Sequence, residues 1–128
     1  MQKSIDKIYY AAIYLRLSKE DGDLSSGEKK ESNSIANQRK LIEDYLSRNP
    51  EITLVQEFCD DGYTGANFDR PDFQRMMEQV KTGKINCIIV KDLSRFGRDY
   101  IDSGRYIEKI FPSLGIRFIA INDNYDSA

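Results

Sequence analysis

Four short apolar runs recur along the chain and predict the strands of a sheet. They extend from Ile8 to Leu17, Ile52 to Cys59, Asn86 to Val90 and Ile116 to Ile121. The first is nearly continuous apolar sequence, which is typical of a strand buried on both faces of a parallel sheet.

Segments with an apolar residue every three or four positions separate these runs and predict helices. The helices are expected at residues 33–48, from Pro71 to just before Gly83, and at residues 100–114. Pro71 suits the first position of a helix, Gly83 suits a C-terminal cap, and Gly115 breaks the third helix. Ser32 or Ser34 can cap the first helix.

Strand and helix therefore alternate along the chain. This order predicts an α/β fold with three layers (α/β/α), in which helices cover both faces of a central, mainly parallel sheet. The length suits a single domain over residues 1–128, and a hydrophobic content of 40% allows a real core. The sequence has no apolar run of membrane-spanning length and no signal-peptide pattern, so we expect a cytoplasmic protein.

The composition excludes several kinds of chemistry. The chain has no histidine, so the commonest general base and the commonest metal ligand are missing. Two cysteines, Cys59 and Cys87, are too few for a disulfide framework or a zinc site, and both are expected to be buried thiols. No metal and no cofactor is implied, so any reaction must use serine, tyrosine, lysine, arginine or carboxylate side chains.

Gln38 interrupts the apolar stripe of the first predicted helix. It lies on the same face as Ile35, Ile42 and Tyr45 at helical spacing. A polar side chain that faces the core needs a hydrogen-bond partner or serves a site.

Three polar connections are expected to be loops, at residues 19–31, 60–65 and 91–99. In an open α/β sheet, ligands bind beyond the carboxyl ends of the strands. The polar residues that stand there in the sequence are Arg16, Ser18, Asp60, Asp61, Arg70, Ser94, Arg95 and Arg98. Arg16 and Ser18 are two positions apart, so both point to the same side if the first strand continues that far.

These side chains suit phosphate chemistry. The guanidinium groups of arginines can form paired hydrogen bonds to phosphate oxygens and keep their positive charge. They can also stabilise negative charge and lower the pKa of a nucleophilic hydroxyl, for which Ser18 is the candidate. Each feature also has a simpler explanation, because strand-end serines are usually structural, surface arginines usually pair with carboxylates and Asp-Asp-Gly is usually a turn. The residue pattern alone indicates an α/β domain with a candidate phosphate or phosphodiester site.

Five segments, in this order, resemble the motifs of the serine recombinase family, which contains resolvases, invertases and the large serine integrases and transposases. The segments are Tyr14–Ser18, Asn37–Arg39, Asp60–Gly65, Phe68–Pro71 and Leu93–Asp99. The resemblance extends from about Ile8 to Ile121. The long interval between Ser18 and Gln38 is more similar to the large serine recombinases than to the small resolvases.

The resemblance implies a resolvase-like fold and an enzyme that cuts and rejoins DNA. Ser18 would attack a DNA phosphodiester to form a 5′-phosphoserine intermediate, followed by strand exchange and religation. The residues implied to hold or orient the phosphate are Arg16, Gln38, Arg70, Arg95 and Arg98. Asp60, Asp61 and Ser94 are implied as supporting residues.

Ser94 departs from the family pattern, because many small resolvases carry an aspartate there that is a candidate proton donor. The general acid could instead be an arginine, Asp60, Asp61 or water, and the sequence leaves these alternatives open. One other interpretation is an inactive relative that keeps the fold without cleavage. Another is a small-molecule phosphate enzyme, but it predicts a glycine-rich loop where the sequence has Leu17–Glu20.

The net charge of −2 bears on the partners. Domains that bind DNA are usually basic, because phosphate contacts dominate their affinity. In the family a long helix and DNA-binding domains follow the catalytic domain, so we expect double-stranded DNA to be held mainly by parts absent from this chain. The resemblance also implies a homo-oligomer, a dimer on one DNA site and a tetramer in synapsis, with no membrane association.

Overall fold

A computed structural model describes four stretches of the chain, residues 8–18, 35–63, 71–96 and 104–127. Within them it describes the backbone, and not the side chains, of residues 17, 18, 61–63, 94 and 95. The predicted loop at residues 19–31 and the candidate caps Ser32 and Ser34 lie outside these stretches. No helix in the four stretches is long and apolar enough to cross a membrane.

Across the described residues, five strands form one sheet in the order β2-β1-β3-β4-β5. The strands are β1 (Tyr9–Ser18), β2 (Ile52–Tyr63), β3 (Cys87–Val90), β4 (Arg117–Ala120) and β5 (Tyr125–Asp126). Strands β1 to β4 are mutually parallel, and β5 runs antiparallel to β4. The predicted mainly parallel sheet is confirmed. The sequence does not predict β5, because a two-residue strand leaves no hydrophobic pattern.

The helices fall between the strands, as the pattern predicts. They are α1 (Ile35–Ser47), α2 (Pro71–Lys81), a short α3 (Leu93–Phe96), a π-helical segment (Tyr106–Ile110) and α4 (Phe111–Leu114). Gly83 (φ 86°) and Gly115 (φ 73°) follow α2 and α4 in the left-handed conformation that commonly ends a helix.

The prediction of a helix over residues 100–114 is confirmed in its described part, residues 104–114, but the helix is not a regular α-helix throughout. From Tyr106 to Ile110 the helix has π geometry, and the N–H of Phe111 donates to the carbonyl of Tyr106. Pro112 has no N–H, and its ring clashes with the carbonyl four residues earlier, so it interrupts the hydrogen bonds of the preceding helix and lies in the first turn of α4.

The helices cover both faces of the sheet, which confirms the three-layer prediction. On one face, Ile42 of α1 packs against Ala11, Ile13 and Leu15 of β1. On the other face, α2, α3 and the π-helical segment pack over an aromatic cluster. The ring centroid of Phe96 lies 4.9 to 6.0 Å from the ring centroids of four other aromatic residues, which are Phe73, Tyr106, Phe111 and Phe118.

The prediction of a turn-rich loop at residues 60–65 is wrong in its first part, because β2 continues to Tyr63. The strand register pairs Asp60 with Arg16 of β1 and skips Gly62 as a bulge. Pairing with β1 therefore overrides the local turn preference of the Asp-Asp-Gly sequence. Residues 64–70 lie outside the described stretches.

The predicted loop at residues 91–99 contains the short helix α3. The side chain of Phe96 at its end is fully buried in the aromatic cluster. Tertiary packing thus holds a helical turn too short to show periodicity in the sequence. Residues 97–99 lie outside the described stretches.

Cys59 and Cys87 remain thiols. Cys87 is buried as predicted, and burial raises the pKa of its thiol to about 12. Cys59 is half-buried, so the prediction of burial is wrong for this residue. At neutral pH the Cys87 thiol stays protonated and is a poor nucleophile.

An ion pair joins α1 to β2. The guanidinium of Arg39 donates two hydrogen bonds to the carboxylate of Glu57, Nε to Oε1 at 2.8 Å and Nη2 to Oε2 at 2.7 Å. The hydrogen bonds from Arg39, and then its positive charge, hold the pKa of Glu57 below its ordinary value of 4.5. Both side chains are about a third exposed, so the pair contributes modest stability.

Glu57→Gln should make the free energy of unfolding depend less on pH in the acid range, which is the acid limb of the stability profile. Because the folded-state pKa of Glu57 is lowered, its contribution is full above the ordinary value of 4.5 and is lost as pH falls through the folded-state pKa. We expect a loss of less than about 1 kcal/mol at neutral pH and a smaller difference below about pH 4. Urea unfolding at several pH values measures both effects.

The control for this experiment is Asp44→Asn. Asp44 pairs with Arg48 on the same helix, and both side chains are more than half exposed. This variant should leave the acid limb close to that of the wild type. An acid limb in Glu57→Gln as steep as the wild type would contradict the expectation.

Candidate active site

Three neighbouring parallel strands end at the same edge of the sheet. β1 ends with Arg16 and Ser18, and β2 runs beside it with Asp60 paired to Arg16. β3 leads into α3, which contains Ser94 and Arg95 and contacts β1. The backbone therefore brings these predicted site residues to one edge.

β1 continues through Ser18, which is the condition for Ser18 and Arg16 to lie on the same side of the strand. The predicted site residues whose side chains lie outside the described structure are Ser18, Asp61, Arg70, Ser94, Arg95 and Arg98. The described geometry rests on the side chains of Arg16, Gln38 and Asp60. In the part of the chain that the structure describes, no group of three histidine, cysteine, aspartate or glutamate side chains is placed to hold a metal ion.

The side chain of Arg16 is fully buried, with 0% of the residue exposed. Arginine is rarely buried to this extent, because its charge must be compensated by hydrogen bonds or by opposite charge. A guanidinium that is held on a strand in the core has already lost its rotamer freedom.

Gln38 is fully buried, as its place on the apolar stripe predicts, and its partner is the backbone of Arg16. The N–H of Arg16 donates to Oε1 of Gln38 at 3.2 Å, and Nε2 of Gln38 donates to the carbonyl of Arg16 at 3.0 Å. The side-chain amide thus pairs with both polar groups of one residue, as a neighbouring strand would.

β1 needs the Gln38 amide as a hydrogen-bond partner because its pairing with β3 ends before Arg16. The polar groups of Tyr10 face the β3 side, where its carbonyl accepts the N–H of Asn86. Backbone directions alternate along a strand, so Arg16, six positions further on, faces the same side. The pairing with β3 reaches only Ile13, and the amide of Gln38 continues it from α1.

Asp60 fixes the start of α2 from the neighbouring strand. Its Oδ1 accepts the N–H of Asp72 at 3.0 Å, and its Oδ2 accepts the N–H of Phe73 at 3.1 Å. These N–H groups belong to the first helical turn, where no partner exists within the helix. The hydroxyl of Tyr14 also donates to Oδ2, at 2.7 Å. Asp60 therefore ties β1, β2 and α2 together.

Asp72 makes the reciprocal contact, because its carboxylate accepts the backbone N–H of Cys59 at 2.8 Å. Its negative charge in the first turn also suits the positive end of the helix dipole. Pro71 is the first residue of α2, so the predicted site residue Arg70 directly precedes this double link in the sequence.

Sequence reasoning did not identify Tyr14 or Asp72 as parts of the site framework. The available signal for Tyr14 was its spacing of two from Arg16, which places both on one face of a strand. The signal for Asp72 was an acidic residue in the first turn of a helix. Neither signal indicates which residue Tyr14 or Asp72 contacts, because both contact the carboxylate of Asp60, which lies on β2.

The family assignment follows from a match over most of the chain. Residues 11–128 match the family described as Resolvase, N terminal domain. This chain belongs to the serine recombinase family. No curated protein matches this recombinase domain.

Solved structures with the same fold include other members of the family. The recombinase domain overlays the N-terminal catalytic domain of TP901-1 integrase with a TM-score of 0.77 and 24% identity, covering 92% of this chain and 81% of that one. A resolvase family site-specific recombinase from Streptococcus pneumoniae gives a TM-score of 0.70 and 29% identity, with 94% and 76% covered. The C-terminal catalytic domain of ISC1926 TnpA, an IS607-like serine recombinase, gives 0.65 and 21%, with 87% and 68% covered.

Asp60→Asn should destabilise the recombinase domain by about 1–3 kcal/mol, because an amide has one accepting atom where the carboxylate has two. Tyr14→Phe is the matched comparison, since it removes one of the same hydrogen bonds and should lower the free energy of unfolding by about 1 kcal/mol. Denaturant unfolding followed by circular dichroism measures both. An Asp60→Asn variant as stable as Tyr14→Phe would show that the helix contacts of Asp60 contribute little.

Gln38→Glu should destabilise the domain in a pH-dependent way. An ionised glutamate keeps the acceptor for the N–H of Arg16 but faces the Arg16 carbonyl without a donor, so its folded-state pKa should rise. We expect a loss of about 1–3 kcal/mol at neutral pH that shrinks as pH falls toward 4.5, the ordinary pKa of a glutamate side chain. Denaturant unfolding at pH 7 and at about pH 5 measures the change. Gln38→Met carries no charge, so a loss that varies equally with pH in both variants would contradict this account.

Proposed function

We propose that this chain is the catalytic domain of a site-specific DNA recombinase in which Ser18 is the nucleophile. The observation that carries the proposal is the end of β1. There a buried Arg16, whose backbone is held by Gln38, lies two residues before Ser18 on a strand that continues through both. The family match over residues 11–128 supports the reaction class.

The proposed reaction is a reversible transesterification. The hydroxyl oxygen of Ser18 attacks the phosphorus of a DNA phosphodiester, the bond from phosphorus to the 3′ oxygen breaks, and that oxygen leaves as a 3′-hydroxyl after taking up a proton. The 5′-phosphate stays on Ser18, and the proton that the Ser18 hydroxyl loses balances the one that the 3′ oxygen takes up. After strand exchange, a 3′-hydroxyl attacks the phosphoserine and releases Ser18, so bond energy is conserved and no ATP is used.

Arginines supply the charge stabilisation in this proposal. Arg16, Arg70, Arg95 and Arg98 would contact the phosphate oxygens, whose negative charge grows in the transition state. Their charge does not depend on pH in the working range. Gln38 acts through Arg16, because its amide is engaged with the Arg16 backbone, and we propose it as a positioning residue.

The proton that reaches the leaving 3′ oxygen needs a donor. Both oxygens of Asp60 accept hydrogen bonds from Tyr14 or from the start of α2, which favours a framework role for Asp60 over proton transfer. Among the alternatives, this leaves an arginine, Asp61 or water. Ser94 would then support the phosphate site by hydrogen bonding.

We further propose that residues 1–128 form one catalytic domain and that other parts of the recombinase hold the DNA. The net charge of −2 supports this division, because phosphate contacts from lysine and arginine dominate DNA affinity. The active assembly would be a homo-oligomer on double-stranded DNA, a dimer on each site and a tetramer when two sites are joined.

A covalent trap tests the nucleophile. The intact recombinase is mixed with a duplex that carries its recombination site and a nick near the crossover point, so that the cleaved strand diffuses away. A denaturing gel should show a protein–DNA adduct at the 5′ end, and Ser18→Ala should show none while its unfolding curve stays close to the wild type. Adduct formation by Ser18→Ala would reject Ser18 as the nucleophile.

A second outcome separates the enzyme from an inactive relative. If the wild-type protein binds and pairs DNA sites but forms no adduct, the domain serves assembly rather than cleavage. Ser94 is the observation that motivates this alternative, so Ser94→Asp would be the first variant to examine for recovered cleavage.

A further inference from the structure

The turn that follows β4 is tied to the connection between β3 and α3. The backbone N–H of Asn122 donates to the carbonyl of Lys91 at 2.8 Å. The N–H of Leu93 donates to Oδ2 of Asp123 at 2.7 Å, across a separation of 30 residues. The β4–β5 turn, residues 121–124, therefore holds both ends of the short connection that leads into α3.

This turn is itself fixed by other contacts. Asn124 adopts a left-handed conformation (φ 52°), and its N–H donates to the carbonyl of Ile121 at 3.1 Å. This hydrogen bond fixes the backbone that presents Asp123 to α3. A separate ion pair joins β4 to β5 outside the turn, where Arg117 donates two hydrogen bonds to the carboxylate of Asp126, at 2.8 and 2.6 Å.

Leu93 is the first residue of α3, so its N–H has no partner within the helix. Asp123 supplies the missing hydrogen-bond acceptor from another element, as Asp60 does for α2. At the other end of α3, Phe96 is buried in the aromatic cluster. The backbone of Ser94 and Arg95 lies between these two anchors.

We propose that Asp123 is a positioning residue for DNA cleavage, because it holds α3 where Arg95 can meet the scissile phosphate. The inference rests on the proposed function, in which Arg95 binds that phosphate. The Asp123 carboxylate is exposed, so its hydrogen bond contributes little net free energy to folding. Its main effect is on geometry, and a displacement of about 1 Å near the reacting atoms can slow a reaction about 100-fold.

Asp123→Ala in the intact recombinase should lower the single-turnover rate of adduct formation on the nicked duplex by about 10- to 100-fold. The dissociation constant for the same duplex should stay within about twofold, because most phosphate contacts lie elsewhere. Asp123→Asn should recover most of the rate, since asparagine accepts a helix-capping hydrogen bond about as well as aspartate.

Asp126→Ala is the structural control. It removes the ion pair to Arg117, which joins β4 to β5 outside the turn, and should lower the melting temperature at least as much as Asp123→Ala. At a temperature where all variants are folded, Asp126→Ala should cleave at about the wild-type rate. Equal slowing in the two alanine variants, equal slowing in Asp123→Asn and Asp123→Ala, or a wild-type rate in Asp123→Ala would each overturn the inference.

Amide exchange at Leu93 gives a readout that does not depend on cleavage. In Asp123→Ala it should be faster by about tenfold or more, because the N–H loses its acceptor. If the wild type forms no adduct, the proposed function fails, and faster exchange would still show that Asp123 anchors α3. An unchanged exchange rate would show that Asp123 does not anchor α3, and it would overturn the inference whatever the cleavage rate.

Discussion

The unequal lengths of β1 and β3 are the constraint on which the candidate site depends. Pairing between β1 and β3 ends at Ile13, while pairing between β1 and β2 continues to Ser18. A strand that extends past its neighbour leaves buried backbone groups that must find other partners. Gln38 supplies them at Arg16. The extension therefore creates an open edge at the strand that carries the nucleophile candidate, and a buried amide from α1 makes that edge stable.

Two helices at this edge begin on carboxylates that come from other elements. Asp60 of β2 accepts the first N–H groups of α2, and Asp123 accepts the first N–H group of α3. A helix N-terminus normally attracts anions, and Arg70 directly precedes the first residue of α2. Because Asp60 occupies these groups, the phosphate of the proposed function would have to be held by arginine side chains. The same contacts fix the helix starts to strands rather than to loops.

The sequence predicted those features that have a local cause. The alternation of strands and helices, the start of α2 at Pro71 and the inward position of Gln38 all follow from periodicity or from the chemistry of one residue. The features it missed depend on distant partners. Asp60 belongs to a strand because β1 pairs with it, and α3 is helical because Phe96 is buried beneath it. Asp123 belongs to no recognisable sequence motif, because Leu93, whose N–H it accepts, is 30 positions away in the sequence.

Charge is distributed in a way that suits a catalytic rather than a DNA-anchoring role. Arg39 and Arg117 are each paired with a carboxylate, Glu57 and Asp126 respectively, and these contacts raise the pKa of both arginines further above their ordinary value. Their charge is compensated within the domain. In the proposed function, weak binding of intact DNA would not slow the chemical step, because only contacts that strengthen in the transition state accelerate that step. The proposed enzyme would therefore combine low affinity of this acidic domain for DNA with stabilisation of the attacked phosphate by arginines that include the buried Arg16, two residues before Ser18.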